Sequence, residues 1–155
     1  MAREQKPDKF KYSLDTVLRV RGIKERKEKE KFAEKEREYL TEKQKEEQLE
    51  EEKKEKEGEL KHIIKKGPIS QFEKVLRRHA HLGVLKKDID DQVEKVIDAS
   101  KRLESQRSKL IESMKDRKII EKDKEHRLDD YKDMMKDLEI KFLDEIATER
   151  FKRGL

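Results

Sequence analysis

A seven-residue hydrophobic recurrence runs through the second half of this chain. One register comprises Phe72, His79, Lys86, Val93, Ser100, Arg107, Met114, Glu121, Leu128, Met135 and Phe142. The other comprises Val75, Leu82, Ile89, Val96, Leu103, Leu110, Arg117, Lys124, Tyr131 and Leu138. Spacing held at strict sevens returns side chains to one stripe only where a helix supercoils left-handedly around another helix. The recurrence therefore predicts an all-α fold built on a long coiled-coil helix, a rod whose function lies in what it links.

Composition narrows what such a chain can do. Of the 155 residues, 52% are charged and 31% hydrophobic, too little apolar area for the core of a compact globular enzyme. The 43 basic and 38 acidic side chains leave a net charge of +5 and are mixed along the sequence, which predicts a salt-bridged helix surface. A nucleic-acid site concentrates Lys and Arg on one face, and no such segregation is evident, so nucleic acid is not an expected partner. Cysteine is absent, so neither disulfides nor thiolate metal sites are expected. Residues 1–10 lack the apolar core of a signal peptide, and no stretch approaches the roughly 20 apolar residues that span a bilayer. The sequence reads as cytosolic, without membrane insertion.

Local signals divide the chain into a flexible tail over residues 1–12 and a single coiled-coil hairpin over 13–155. Helix one is expected at about 13–66, a turn at 67–69, and helix two at about 70–153. Ser13 can cap the first helix, and Leu14, Val17, Leu18 and Ile23 give it an apolar face. Between Lys24 and Glu59 that face thins among Glu and Lys, where pairs such as Glu25 with Lys29, Glu50 with Lys54 and Glu52 with Lys56 have the favourable spacing of four. Lys65 and Lys66 suit a helix C-terminus, Gly67 a left-handed terminal position, and Pro68 the end of the hydrogen-bond ladder. Ser70 followed by Glu73 is a capping box for the second helix. A short turn makes the helices antiparallel neighbours. Residues equidistant from the turn should then face each other: Leu49 near Lys86, Phe32 near Leu103, and Leu14 to Leu18 near Arg117 to Glu121. Roughly the last 30 residues, about 45 Å of helix, are left over with an apolar stripe from Leu128 to Phe151.

No catalytic, cofactor or metal site is expected. His79 and His81 point in different directions on a helix, and no third ligand stands at the right spacing. The acidic groups Asp88, Asp90, Asp91 and Asp129, Asp130, Asp133 lack the enclosed pocket that acid–base catalysis needs. Gly22, Gly58 and Gly83 fall inside helices and are candidate bends. The polar intrusions Lys86, Ser100, Arg107, Arg117, Glu121 and Lys124 read as register-setting seam residues. These features fit a self-associating coiled-coil scaffold or a charged helical spacer as well as a monomeric rod with its own partner.

The two ends of the chain carry a family resemblance. The opening run Phe10-Lys11-Tyr12-Ser13-Leu14-Asp15-Thr16-Val17-Leu18-Arg19-Val20-Arg21 resembles the start of the bacterial flagellar export protein FliJ. Leu110 to Arg117, Glu121, Lys122, Tyr131, and above all Leu143-Asp144-Glu145-Ile146-Ala147-Thr148-Glu149-Arg150-Phe151, resemble that family's closing pattern. The resemblance implies a cytoplasmic component of the flagellar type III export apparatus, peripherally associated with the inner membrane. It implies a stalk, a monomer in isolation, that inserts in a hexameric export ATPase, contacts the export gate protein and escorts export chaperones. Carried over by position, the ATPase-ring contacts are Leu14, Leu18, Leu138, Phe142, Asp144, Glu145, Ile146 and Phe151, and the gate contacts are Phe72 and Leu76. Between Lys43 and Glu59 the chain departs from some members in being so charged and in lacking their aromatics.

Overall fold

The computed structural model describes residues 9–66 and 72–154. Two α-helices make up the fold, α1 over Asp15–Lys66 and α2 over Phe72–Arg153. The Gly67-Pro68 turn and the Ser70 half of the capping box lie outside the described residues. Both helices have charges that complement their dipoles: Asp15 opens α1 and Lys65 and Lys66 close it, while Glu73 opens α2 and Arg150, Lys152 and Arg153 close it. Gly22, Gly58 and Gly83, the expected bends, all lie within unbroken helix.

The chain divides into two compact units, Lys27–Ile111 and Met1–Arg26 with Glu112–Leu155. In the first, the two helices pack antiparallel as a hairpin. Glu59 meets Arg78, Glu42 meets Gln92 and Glu28 meets Gln106, close to the pairing expected from distance to the turn. The buried apolar residues here are Leu82, Leu85, Val96 and Ala99.

One of the two expected seam registers is corrected. Leu82 and Val96 belong to the register that begins at Val75, and both are buried. In this unit the other register holds only at the half-buried Val93, since His79, Lys86, Ser100 and Arg107 are exposed, whereas its later members Met114, Glu121, Leu128 and Met135 are half-buried. The second buried line lies three residues after the first and runs Leu85, Gln92, Ala99, Gln106 and then Ser113. After Leu85, amide, alanine and serine side chains occupy that line, so a count of large apolar residues passes over it.

The two glutamines act alike. The amide nitrogen of Gln92 donates to the backbone oxygen of Glu42 at 2.8 Å and to its carboxylate at 2.6 Å. Gln106 does the same to Glu28, with its backbone oxygen at 3.3 Å and its carboxylate as second acceptor. Fourteen residues separate the partners on each helix, so the clamp repeats after two heptads. A slip by one residue would leave both buried amides without acceptors, which fixes the register.

Outside the seam, α1 is supported by ion pairs spaced mostly three apart. Lys43 with Glu46 at 3.0 Å and Lys35 with Glu38 at 3.3 Å are two of them. Lys56 turns to Glu59 and Glu52 to His81, so these two do not form the expected pair with each other. Such exposed pairs each contribute only about 0.2 to 1 kcal/mol.

Replacing Gly83, whose added Cβ would meet nothing within 4 Å, by Ala should raise stability by about 0.5 to 1 kcal/mol. Leu85→Ala, at a position 3% exposed, should lower it by about 2 to 5 kcal/mol. Thermal unfolding followed by circular dichroism reads both. The hydrogen bond from Gln92 holds the Glu42 carboxyl below its ordinary value of 4.5. That contribution is present above pH 4.5 and is lost as pH falls through the depressed value. In acid titration the wild type should therefore lose stability relative to Gln92→Leu below about pH 4.5, and parallel curves would show that the clamp carries no such linkage.

Candidate functional site: the free end of the second helix

In the unit formed by Met1–Arg26 and Glu112–Leu155, the start of the chain is strapped to α2. Tyr12 is buried, although the tail was expected to run through residue 12. Its hydroxyl lies 3.3 Å from the backbone oxygen of Ile120 and hydrogen-bonds the Asp123 carboxylate. Arg127 lies over the Tyr12 ring at 5.9 Å, reaches Asp123 at 3.3 Å, and donates to the Ser13 hydroxyl at 3.4 Å. Removal from water, reinforced by the Asp123 hydrogen bond and charge, pushes the Tyr12 hydroxyl above its ordinary pKa. Two residues earlier, the Phe10 ring packs on Tyr131 with centroids 5.4 Å apart and planes tilted by 46°. The first amide of α1, at Asp15, bonds the Tyr12 backbone oxygen at 3.2 Å.

Charged side chains carry the pairing onward. Lys124 meets Asp15 at 3.1 Å, and Arg21 donates to the Asp116 backbone oxygen at 2.7 Å. Arg117 pairs with Glu25, which is only 4% exposed, and with Glu121 at 2.5 Å. The Glu25 hydrogen bond raises the Arg117 pKa and keeps the guanidinium charged. Arg117 and Lys124, read from sequence as polar intrusions, are thus seam residues with acids opposite. The pairing differs from the expected one by about one turn where Asp15 sits beside Lys124 and about two where Glu25 sits beside Arg117.

Beyond Tyr131, no hydrogen bond, ion pair or ring contact from the N-terminal segment reaches α2 among the described residues. The helix nevertheless continues to Arg153 and is rich in exposed apolar side chains: Met134, Leu138, Ile140, Phe142, Leu143 and Phe151. Phe142 is 61% exposed and Phe151 72%. At 3.6 residues per turn, Leu138, Phe142 and the half-buried Ile146 share one stripe. Phe151, nine residues from Phe142, lies about 180° away, in line with Ile140 and Ala147, while Leu143 stands about 100° from Phe142, between the two. The end of α2 therefore has two opposed apolar stripes. Between them, Asp144, Glu145, Thr148, Glu149 and Lys152 line a shallow polar hollow, where the Thr148 hydroxyl bonds the Asp144 backbone oxygen at 2.8 Å.

The structure divides the residues expected to act together. Leu138, Phe142, Asp144, Glu145, Ile146 and Phe151 lie on the free end of α2. Leu14 and Leu18 are half-buried at the level of Asp15 and Lys124, about 21 Å along the helix from Leu138. Phe72 and Leu76 belong to the other unit, one turn apart and exposed at the start of α2. Sequence reasoning missed Phe10 and Tyr12. The signal available was two aromatics in a polar segment of a chain with only eight Phe and Tyr in total.

The fold thus defines an all-α helical hairpin protein whose longer helix outruns its partner. Compared with known families, residues 10–155 match the one described as flagellar FliJ protein. The chain belongs to that family and is a component of the flagellar protein export apparatus. No curated protein and no solved structure matches it.

Tyr12→Ala should release the strap without melting α2. Trypsin cleavage after Lys11 should then quicken several-fold while the helical circular dichroism signal stays constant, because cleavage of an opened segment follows its population.

Proposed function

We propose that the chain is the stalk of the flagellar type III export ATPase. In this reading the free end of α2 enters the pore of the hexameric ring, and Phe72 and Leu76 touch the export gate. The observation that carries it is the run from Met134 to Phe151, in which Met134, Leu138, Ile140, Phe142, Leu143 and Phe151 are all more than half exposed. Two opposed stripes fit an enclosure better than a flat surface, because a flat partner would bury one and leave the other in water. Leu138, Phe142 and Ile146 would face one wall of the pore and Phe151 another, with Asp144 and Glu145 on the polar flank between them. Leu14 and Leu18 would meet the ring nearer its mouth, being set back along α2.

The mechanism follows from symmetry. One stalk in a six-fold ring makes the ATPase subunits inequivalent, so nucleotide turnover becomes ordered and can be coupled to substrate entry at the gate. The stalk performs no chemistry itself and binds no cofactor. Escort of export chaperones, and residence in the cytoplasm at the inner-membrane export apparatus, complete the reading. No helix among the described residues is long and apolar enough to cross a membrane.

Leu138→Glu with Phe142→Glu should abolish stimulation of the export ATPase, measured as phosphate release, while leaving the strap and the hairpin folded. Light scattering should give one copy of this chain per six ATPase subunits. Undiminished stimulation by the double variant, or a stable homodimer indifferent to the ATPase, would defeat the proposal.

A further inference from the structure

Charge is mixed over the chain as a whole, but one end of the unit Lys27–Ile111 departs from that mixture. Residues 60–81 contain six Lys and Arg, three His and a single acid, Glu73. The ion pair between Arg78 and Glu59 brings the last turns of α1 against the first turns of α2, so these bases gather in one place. Lys61, Lys65, Lys66, Lys74 and Arg77 are exposed and enter no ion pair among the described residues. Three large apolar side chains stand exposed among them: Ile64 at 60%, Phe72 at 61% and Leu76 at 51%. Immediately behind, the sign reverses. Residues 46–59 hold eight acids against three bases, and residues 82–98 hold five against three.

We propose that this end of the hairpin adsorbs directly to an anionic lipid surface. Clustered Lys and Arg are drawn to the negative potential of a cytoplasmic leaflet, and their long stems let apolar neighbours settle at headgroup depth. Bulky apolar residues interleaved with bases fit that boundary, which offers negative charge and hydrocarbon together. An acidic protein surface would match the lysines but offers no hydrocarbon to Ile64. The acidic band behind the tip is repelled by the same surface, so only the tip approaches and the helices do not lie flat. This goes beyond the ATPase stalk reading and gives Phe72 and Leu76 the lipid boundary where that reading gives them the gate, and no gate or ATPase protein is needed to test it.

The chain has no tryptophan, so Phe72→Trp places a single reporter at the contact. Full-length protein carrying it should sediment with vesicles of phosphatidylglycerol and phosphatidylethanolamine, with a blue-shifted emission, and should ignore phosphatidylcholine vesicles. Added salt should weaken adsorption. Neutralising the tip with Lys65→Gln, Lys66→Gln, Lys74→Gln and Arg77→Gln should weaken it by about a hundredfold or more. A second variant with the same change in net charge, Lys101→Gln, Arg102→Gln, Arg107→Gln and Lys109→Gln, should adsorb like wild type. Circular dichroism confirms that both are folded. Absence of adsorption, equal loss in the two variants, or binding to poly-glutamate but not to vesicles would each overturn the proposal, the last in favour of an acidic protein partner.

Discussion

The hairpin depends on polar side chains that fix which residues of the two helices meet. A seam with only four buried apolar residues between Leu82 and Ala99 gains little discrimination from hydrophobic burial, since a shift along either helix buries similar area. The clamps at Gln92 and Gln106 remove that freedom. Each amide reaches both a backbone oxygen and a carboxylate of the same glutamate, so the correct alignment satisfies the donors and a slipped one strands them inside. In the other unit Glu25 and Arg117 have the same consequence with charge, because a buried carboxylate without its guanidinium is costly. Specificity here comes from satisfying polar groups, and the apolar residues supply the drive to associate.

The sequence revealed the presence, type and approximate limits of both helices, for physical reasons. Long runs of Glu, Lys and Leu have little alternative to helix, and the signals around residues 65–73 divide that run in two. Half of the seam was legible as well, where Leu82 and Val96 supply bulk. The other half was not, because its line at Gln92, Ala99, Gln106 and Ser113 is made of residues that ordinarily face solvent or are neutral to burial. Glutamine in a seam is recognisable only together with the glutamate opposite, and that pairing is a property of two helices in register. A one-dimensional pattern contains no such term.

The strap at Phe10 and Tyr12 was hidden for a related reason. Its residues precede the helix, so no periodicity includes them, and their stabilisation comes from Tyr131, Asp123 and Arg127, more than a hundred residues away. The free end of α2 was legible by subtraction, since 82 residues of helix cannot all be paired by 52. Its face was less so. Treating the terminal apolar residues as one stripe placed Phe151 beside Phe142, but a strict heptad reading breaks down when nine residues separate two side chains. The angular difference turns one docking face into two.

Two opposed faces change what a partner must provide. A single stripe is satisfied by one more helix, and a second copy of the chain could supply it. With Leu138 and Phe142 on one side and Ile140 and Phe151 on the other, a single added helix leaves one of the two sides exposed. Covering both sides takes either two helices or a concave surface, and the polar flank of Asp144, Glu145 and Glu149 would give such a surface a direction. The strap bears on this from the other direction. By holding Phe10 against Tyr131 it satisfies the first aromatic of the overhang within the chain, so the surface left for a partner begins at Met134 and no earlier. The stretch left exposed at this end of α2 thereby comes to about 20 residues, roughly 30 Å of helix.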